Sequence, residues 1–233
     1  MIDSLNYLWP ILEAPDPTVG AHTIVRWPQG VGKGLIDIGL LRRTDRAQRV
    51  RCPECQNHYE EVLALDGPGG TKRFYIPCPE VLRAEIDPSL LDQWMASSEA
   101  LVAILTKTLS LQGKCVALIP ERLWRLGRTQ WQGSLRDVLF TRGLHWSDAE
   151  TVRSEIVRAK KPIIFVPKVQ PQDSFWKTLP VVIPLTDVAT FSGDQLEIDP
   201  MEIVAAIQNS KSTAASANCL QTAPIISEKY SGI

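Results

Sequence analysis

Three cysteines and a histidine stand close enough in the chain to share one metal ion. Cys52 and Cys55 form a Cys-x-x-Cys pair, His58 follows three residues later, and Cys78 lies in the stretch IPCPE. A Cys-x-x-Cys turn presents two thiolates to one tetrahedral zinc ion. These residues predict a metal site, provided that the elements between them bring Cys78 back to the other ligands.

The segment between these cysteines predicts a β-hairpin. Strand-prone residues at 59–65 and 71–76 flank a glycine-rich stretch at 66–70, which is a hairpin signal. If the turn centres on residue 68, residue 58 lies opposite residue 78, and cross-strand partners have Cβ atoms about 4.5–5.5 Å apart. This register predicts that His58 and Cys78 meet at the end of the hairpin that carries the Cys-x-x-Cys pair.

The pattern over residues 50–82 resembles a zinc ribbon, in which two knuckles at the base of a hairpin share one metal ion. Cys52 and Cys55 match the first knuckle, and Cys78 matches the first ligand of the second knuckle. The sequence departs from the ribbon pattern at the last position of the second knuckle, where Val81 replaces a cysteine. The resemblance implies a structural Zn²⁺ whose fourth ligand comes from elsewhere.

His58 is the candidate for that fourth ligand, with Glu80 or an ordered water as alternatives. Three thiolates and one imidazole leave no open coordination position, so the ion would stabilise the fold and not activate water. Two other interpretations stay open: a hairpin without metal that keeps its thiols as small buried side chains, and a redox-active Cys-x-x-Cys pair.

Charge and composition limit the functional classes. The chain has 233 residues and a net charge of −1, so any nucleic-acid contact must come from a local basic patch. It contains no run of about 18 apolar residues, the length that a membrane-spanning helix needs. An odd number of cysteines, five, does not indicate a disulfide framework. We expect a cytoplasmic protein with no membrane partner.

Two segments are locally basic. Residues 42–51 carry five arginines against one aspartate, and residues 121–146 carry five arginines interleaved with aromatic residues. Arginine forks bind phosphates and aromatic faces stack bases. The candidate nucleic-acid-binding residues are Arg42, Arg43, Arg46, Arg122, Arg125, Arg128, Trp131 and Arg136. The alternative is that the tryptophans belong to the core and the arginines pack around them.

Strand and helix patterns alternate after the hairpin. Strands are predicted at 115–119, 136–141, 162–167 and 181–184, and helices at 87–113, 121–126, 147–160, 173–178 and 200–208. This alternation predicts an α/β fold with a mainly parallel sheet covered by helices. The predicted organisation is an irregular or helical segment at 1–49 with a helix at 34–43, a zinc-ribbon-like hairpin at 50–86, an α/β domain at 87–208, and a flexible tail or linker at 209–233.

The sequence favours a nucleic-acid-associated adaptor or regulator without a catalytic site, in which zinc holds the small module and arginines contact phosphates. One alternative is a metal-dependent enzyme acting on phosphate-containing, nucleic-acid substrates, with Asp137 and Glu121 as metal ligands. Another is a protein–protein interaction scaffold that uses exposed tryptophans as anchors. Nucleic-acid and protein partners, the oligomeric state and the enzyme question all stay open at this level.

Overall fold

The computed structural model describes residues 4–131, 133–192 and 195–209, and seven α-helices lie in these ranges. They are α1 (Leu5–Glu13), α2 (Ala21–Ile24), α3 (Val31–Asp37), α4 (Ser98–Thr108), α5 (Ala149–Ile156), α6 (Leu185–Val188) and α7 (200–209). Helix α4 begins where the Ser97 hydroxyl accepts a hydrogen bond from the Ala100 N–H at 3.1 Å, which satisfies one of the free donors of the first turn.

The strands are short, and most pair antiparallel. In chain order they are β1 (Thr18–Gly20), β2 (Leu41–Arg43), β3 (Arg49–Arg51), β4 (Tyr59–Glu61), β5 (Leu63–Asp66), β6 (Lys72–Cys78), β7 (Leu82–Ile86), β8 (Gln93–Ala96), β9 (Val116–Ile119), β10 (Leu123–Trp131), β11 (Ser134–Thr141), β12 (Ile163–Val166), β13 (Val181–Pro184), β14 (Ala189–Ser192) and β15 (Gln195–Ile198). Within the described ranges they form five sheets, in the orders β1-β8-β2, β13-β12-β11-β10-β9, β14-β15, β3-β4 and β5-β6-β7.

The expectation of a mainly parallel sheet covered by helices is wrong. The largest sheet is mixed: β11 pairs parallel with β12, and β12 with β13, whereas β9, β10 and β11 run antiparallel. The other sheets are small and antiparallel. The predicted strands at 115–119, 136–141, 162–167 and 181–184 are present. The predicted alternation of strands with helices, from which a parallel sheet was expected, is wrong.

Residues 121–126 were predicted to be helical, but they belong largely to β10. A β-bulge between Arg125 and Gly127 shifts the register with β11, so the apolar residues do not alternate strictly along the strand. Gly127 has a φ of +153°, and a Cβ there would lie 2.7 Å from the Gln112 carbonyl oxygen. The sequence pattern therefore lacks the period of two that identifies a strand.

Two further helix predictions fail for similar reasons. The predicted helix at 34–43 ends early, because Gly39 adopts a left-handed φ of +76° and such a glycine terminates a helix; strand β2 follows it. The predicted helix at 87–113 contains a 3₁₀ turn at Pro88–Leu91 and strand β8 before α4 begins. Strand β8 pairs with both β1 and β2, and this pairing overrides its local helical pattern.

The mixed sheet is buried on both faces at strand β12. Along β12, Ile163 and Phe165 belong to the largest apolar cluster, which also contains Leu5, Leu8, Trp9 and Leu12 of α1, while Ile164 and Val166 belong to a second cluster with Val152 and Ile156 of α5. Alternate residues of one strand therefore face two different apolar layers. This explains the continuous apolar sequence of β12, which lies between two strands with both faces covered.

A third cluster lies in the segment between β2 and β8. It contains eight buried residues: Ala47, Val50, Cys52, Ile76, Cys78, Ala84, Ile86 and Leu91. The sheets β3-β4 and β5-β6-β7 surround it. We call residues 47–91 the cysteine module.

Among the described residues, no helix combines the length and the apolar character that crossing a bilayer requires. The helix predicted at 200–208 corresponds to α7. The predicted flexible tail falls almost entirely on 210–233, outside the described residues, and so does Cys219.

Candidate metal centre

Three cysteines of the cysteine module converge. The Sγ atoms of Cys52, Cys55 and Cys78 lie within 4.8 Å of one another, and those of Cys55 and Cys78 are 3.4 Å apart. These thiols are free. Sulfurs bound to one tetrahedral zinc ion at about 2.3 Å are spaced by roughly 3.8 Å, so the cluster could bind a metal, in keeping with a zinc-ribbon-like motif.

Local backbone geometry holds the Cys-x-x-Cys pair in place. The Gln56 N–H donates to the Cys52 carbonyl at 3.0 Å, and the Cys52 N–H donates to the His58 carbonyl at 2.8 Å. Gln56 has a left-handed φ of +59°, which closes this turn and directs the chain back towards β4. The turn thus orients two sulfurs towards the same side before any distant residue contributes.

Backbone N–H groups surround two of the sulfurs in the same way. The Asn57 and His58 N–H groups donate to the Cys55 thiol and, with Asn57 contributing most, hold its pKa below the usual value. The Glu80 and Val81 N–H groups donate to the Cys78 thiol, but burial has the larger influence there and raises its pKa overall. In both cases the donors lie two and three residues after the cysteine, an arrangement that favours the thiolate.

His58 and Glu80 form a second group with Cys55. One ligand atom from each of these three residues lies within 4.8 Å of the others. His58 Nε2 and Glu80 Oε1 are 3.2 Å apart, and the Asn57 side-chain amide also donates to Glu80 Oε1 at 3.0 Å. The pKa of Glu80 is lowered, first by this Asn57 hydrogen bond and also by His58. Both candidates for the fourth ligand therefore lie near the Cys55 sulfur, although neither has a ligand atom within 4.8 Å of all three sulfurs.

The predicted hairpin is present in part, with a small change of register: β5 pairs with β6, whereas β4 pairs with β3. Asp66 pairs with Lys72 and Leu63 with Tyr75, so the turn is centred on residue 69 and not on residue 68. His58 contacts Glu80, whereas the sequence predicted that it would lie opposite Cys78. The sequence did not predict β7, which pairs with β6 and brings Ala84 and Ile86 against the sulfurs as part of the same apolar cluster.

The five arginines of the basic segment 42–51 are exposed. Three of them contact residues in the later part of the cysteine module. Arg46 lies over the Phe74 ring, with its guanidinium carbon 5.5 Å from the ring centroid, and Arg49 over Tyr59 at 5.3 Å. Arg49 also donates to the Tyr59 carbonyl and Arg51 to the Gln56 carbonyl. These contacts attach the basic segment to the residues that surround the sulfurs.

The remaining candidate nucleic-acid-binding residues do not share one exposed surface. Arg42 and Arg43 are exposed on β2, where Arg43 pairs with Asp92. Arg122 is largely buried: it pairs with Asp148, donates to the Gly143 carbonyl and lies over Trp146. The other candidates lie on β10 and β11. Arg125 and Arg128 line a shallow cleft with Lys114. Trp131 packs against the largest apolar cluster, and Arg136 is buried.

Asp137 and Glu121, the metal ligands of the enzyme alternative, do not meet. Asp137 pairs with Arg128 near the start of β11, whereas Glu121 precedes Leu123, which pairs with Thr141 at the other end. Four residues of strand separate these ends by about 13 Å. The Asp137 carboxylate instead accepts hydrogen bonds from the Lys160 N–H at 2.6 Å and from Arg128 at 2.7 Å, so its role in the fold is structural.

The scaffold alternative predicted exposed tryptophans, and the structure has none. All seven tryptophans lie among the described residues. Trp9, Trp124 and Trp176 are buried, and the other four are half-buried. Trp146 donates its indole N–H to the Glu13 carbonyl and thereby attaches α1 to the segment after β11. These side chains support the fold and offer no exposed aromatic anchors.

Comparisons with known proteins add no relative: no family model, no curated protein and no solved structure matches the chain.

Proposed function

We propose that this chain is a nucleic-acid-associated protein in which a structural zinc ion holds the cysteine module and the arginines of segment 42–51 contact phosphates. The observation that carries the proposal is the attachment of Arg46, Arg49 and Arg51 to Phe74, Tyr59 and Gln56. These contacts join an exposed basic segment to the elements that a metal ion would order.

The donor set supports zinc as the metal. Three thiolates with one imidazole form a closed set that suits structural Zn²⁺. His58 is the preferred fourth ligand, because a metal-bound histidine usually donates its second ring N–H to a carboxylate and Glu80 lies beside the His58 ring. The ion would stabilise the module, because a site of this kind forms only when its ligands are folded together.

Local electrostatics support a phosphate partner. The pKa of His22 is lowered, first by burial and then by the positive charges of Arg26 and Arg51. Arg51 is one of the five arginines of segment 42–51, and Arg26 adds a further positive charge near His22. Exposed arginines near aromatic rings suit a nucleic acid, because the guanidinium group binds phosphate and the ring can stack on a base.

The test measures binding of short single-stranded DNA, single-stranded RNA and duplex DNA by fluorescence anisotropy, between about 50 and 200 mM salt. The affinity of the native protein should fall steeply with salt. The double variant Arg42→Ala/Arg46→Ala should weaken binding. It should also reduce the slope of log K against log salt by about 0.7–0.9 for each phosphate that the removed arginines neutralise.

Two controls make the test specific. Arg158→Ala removes an exposed arginine that follows α5 and pairs with Glu155, and it should leave both affinity and slope unchanged. Removing the metal with a chelator should weaken nucleic-acid binding as much as the double variant does. Equal affinities for the native protein and the double variant, or an affinity independent of salt, would disprove the nucleic-acid proposal and leave the metal site untouched.

A further inference from the structure

A cavity of about 470 Å³ opens at the edge of the mixed sheet where the three parallel strands begin. Arg136, near the start of β11, lines it together with Lys161 and Pro162 before β12 and with Pro180 and Val181 at the start of β13. Ile156 and Val157 from the end of α5, with Trp176, complete an apolar wall. Its volume lies in the range of small-molecule sites.

Arg136 is the unusual residue of this cavity. Its side chain is 8% exposed, and its Nε atom is buried without a hydrogen-bond acceptor. No ion pair or hydrogen bond joins its guanidinium group to any residue of the described ranges. A largely buried guanidinium group without an acceptor among the described residues is costly, so an arginine in this position suggests that the cavity accommodates an anion.

The neighbouring acidic residues are already engaged. Asp137, next to Arg136 in sequence, directs its carboxylate to Arg128 and to the Lys160 N–H. Glu155 pairs with Arg158. Asp173 lines a smaller adjacent cavity, and no carboxylate is among the described residues that line this one. The cavity therefore carries uncompensated positive charge.

The cavity combines this charge with apolar walls. Lys161 and Lys177 add two exposed cationic groups to the buried arginine. Trp176, Ile156 and Val181 are buried apolar residues that could cover the body of a ligand. Inorganic phosphate would use only the charged groups, and a neutral apolar molecule would leave Arg136 unpaired.

We infer that this cavity binds a small organic anion, a carboxylate or phosphate head on an apolar or aromatic body, with Arg136 pairing to the head group. The site is independent of the cysteine module and of the nucleic-acid proposal, since it uses no residue of the module or of segment 42–51.

The test uses isothermal titration calorimetry on the full chain with naphthoate, naphthyl phosphate and the neutral naphthylmethanol. Both anions should bind, and the alcohol should bind at least about tenfold more weakly, because it cannot satisfy the guanidinium group. The tighter of the two anions identifies the head group. Arg136→Met should weaken anion binding at least about tenfold and, since it removes an unpaired buried charge, raise the melting temperature of the free protein.

Lys177→Gln provides a second variant that leaves the buried core intact, and Lys114→Gln provides a matched control at an exposed lysine elsewhere. The first should weaken anion binding several-fold, and the second should leave it unchanged. The inference is overturned if the alcohol binds as tightly as the anions, if no anion binds, or if a folded Arg136→Met variant keeps the native affinity for both anions.

Discussion

The cysteine module and the mixed sheet differ in how they stabilise the polar side chains that lie in their cores. Among its described residues the module has a core of eight buried side chains, two of them cysteines, and we expect a core of this size to need a cross-link or a metal for its stability. The largest apolar cluster, to which the sheet contributes one face, contains 27 buried residues within the described ranges, and the packing around the sheet can hold Asp137 and even the unpaired Arg136. A large apolar core supports buried charge, whereas a small one depends on its ligands.

This contrast predicts that the two regions unfold under different conditions. Four changes test it, from the largest expected effect to the smallest.

Removal of the metal should unfold the cysteine module and leave the mixed sheet folded, because structural zinc contributes on the order of 10 kcal/mol to such modules. Hydrogen exchange should show loss of amide protection in β6 and β7 and retained protection in β12. Cys78→Ser should have the same effect, and Cys115→Ser, at an exposed cysteine outside the module, should have none. Unchanged protection of β6 after chelation would mean that the module does not depend on a metal.

Phe140→Ala should destabilise the sheet and spare the metal site. The Phe140 side chain is fully buried in the largest cluster, and its truncation should cost about 3–5 kcal/mol in the free energy of unfolding measured with urea. Leu135→Ala, at a side chain on the same strand that is 44% exposed, should cost less than about 0.5 kcal/mol. If metal affinity, measured by competition with a chromophoric chelator, falls in Phe140→Ala, the two regions are not independent.

The variants His58→Ala and Glu80→Gln should show which residue binds the metal and which residue only orients that ligand. Loss of a carboxylate that orients a ligand weakens metal affinity by about 10–100-fold, so Glu80→Gln should fall in this range and His58→Ala should exceed it. The same chelator competition measures both. The reverse order would make Glu80 the fourth ligand.

Asp137→Asn should destabilise the sheet by about 1–2 kcal/mol at neutral pH, through loss of charge-assisted hydrogen bonds. Burial alone would raise the pKa of Asp137, but the hydrogen bonds from the Lys160 N–H and from Arg128 outweigh it, and the net pKa is lowered. A carboxyl whose pKa is lower in the folded state stabilises the fold above its unfolded pKa of about 3.9.

The stability difference between native protein and Asp137→Asn should therefore be constant near neutral pH and shrink as the pH falls below about 4. Urea unfolding at a series of pH values measures it. A difference that persists at low pH would show that the amide disturbs packing and that the charge is not the cause.

The sequence anticipated the cysteine cluster better than the sheet. The Cys-x-x-Cys turn and the hairpin are local, and the positions of Cys52, Cys55 and Cys78 follow from a span of 27 residues. The helix predicted at 121–126 failed because β10 takes its conformation from β11 and β9, and its bulge removes the alternation. The strand β8 was missed because its partners, β1 and β2, lie far from it along the chain.

The chain's local chemistry determined which residues can bind a metal, because a turn and a hairpin bring their own side chains together whatever surrounds them. Only the tertiary structure decided where the charges lie. Arg136 was predicted to lie on a nucleic-acid-binding surface, yet it lines a cavity formed where β11, β12 and β13 begin. Such a cavity arises from three strands brought side by side over more than 40 residues, and no local pattern records that pairing.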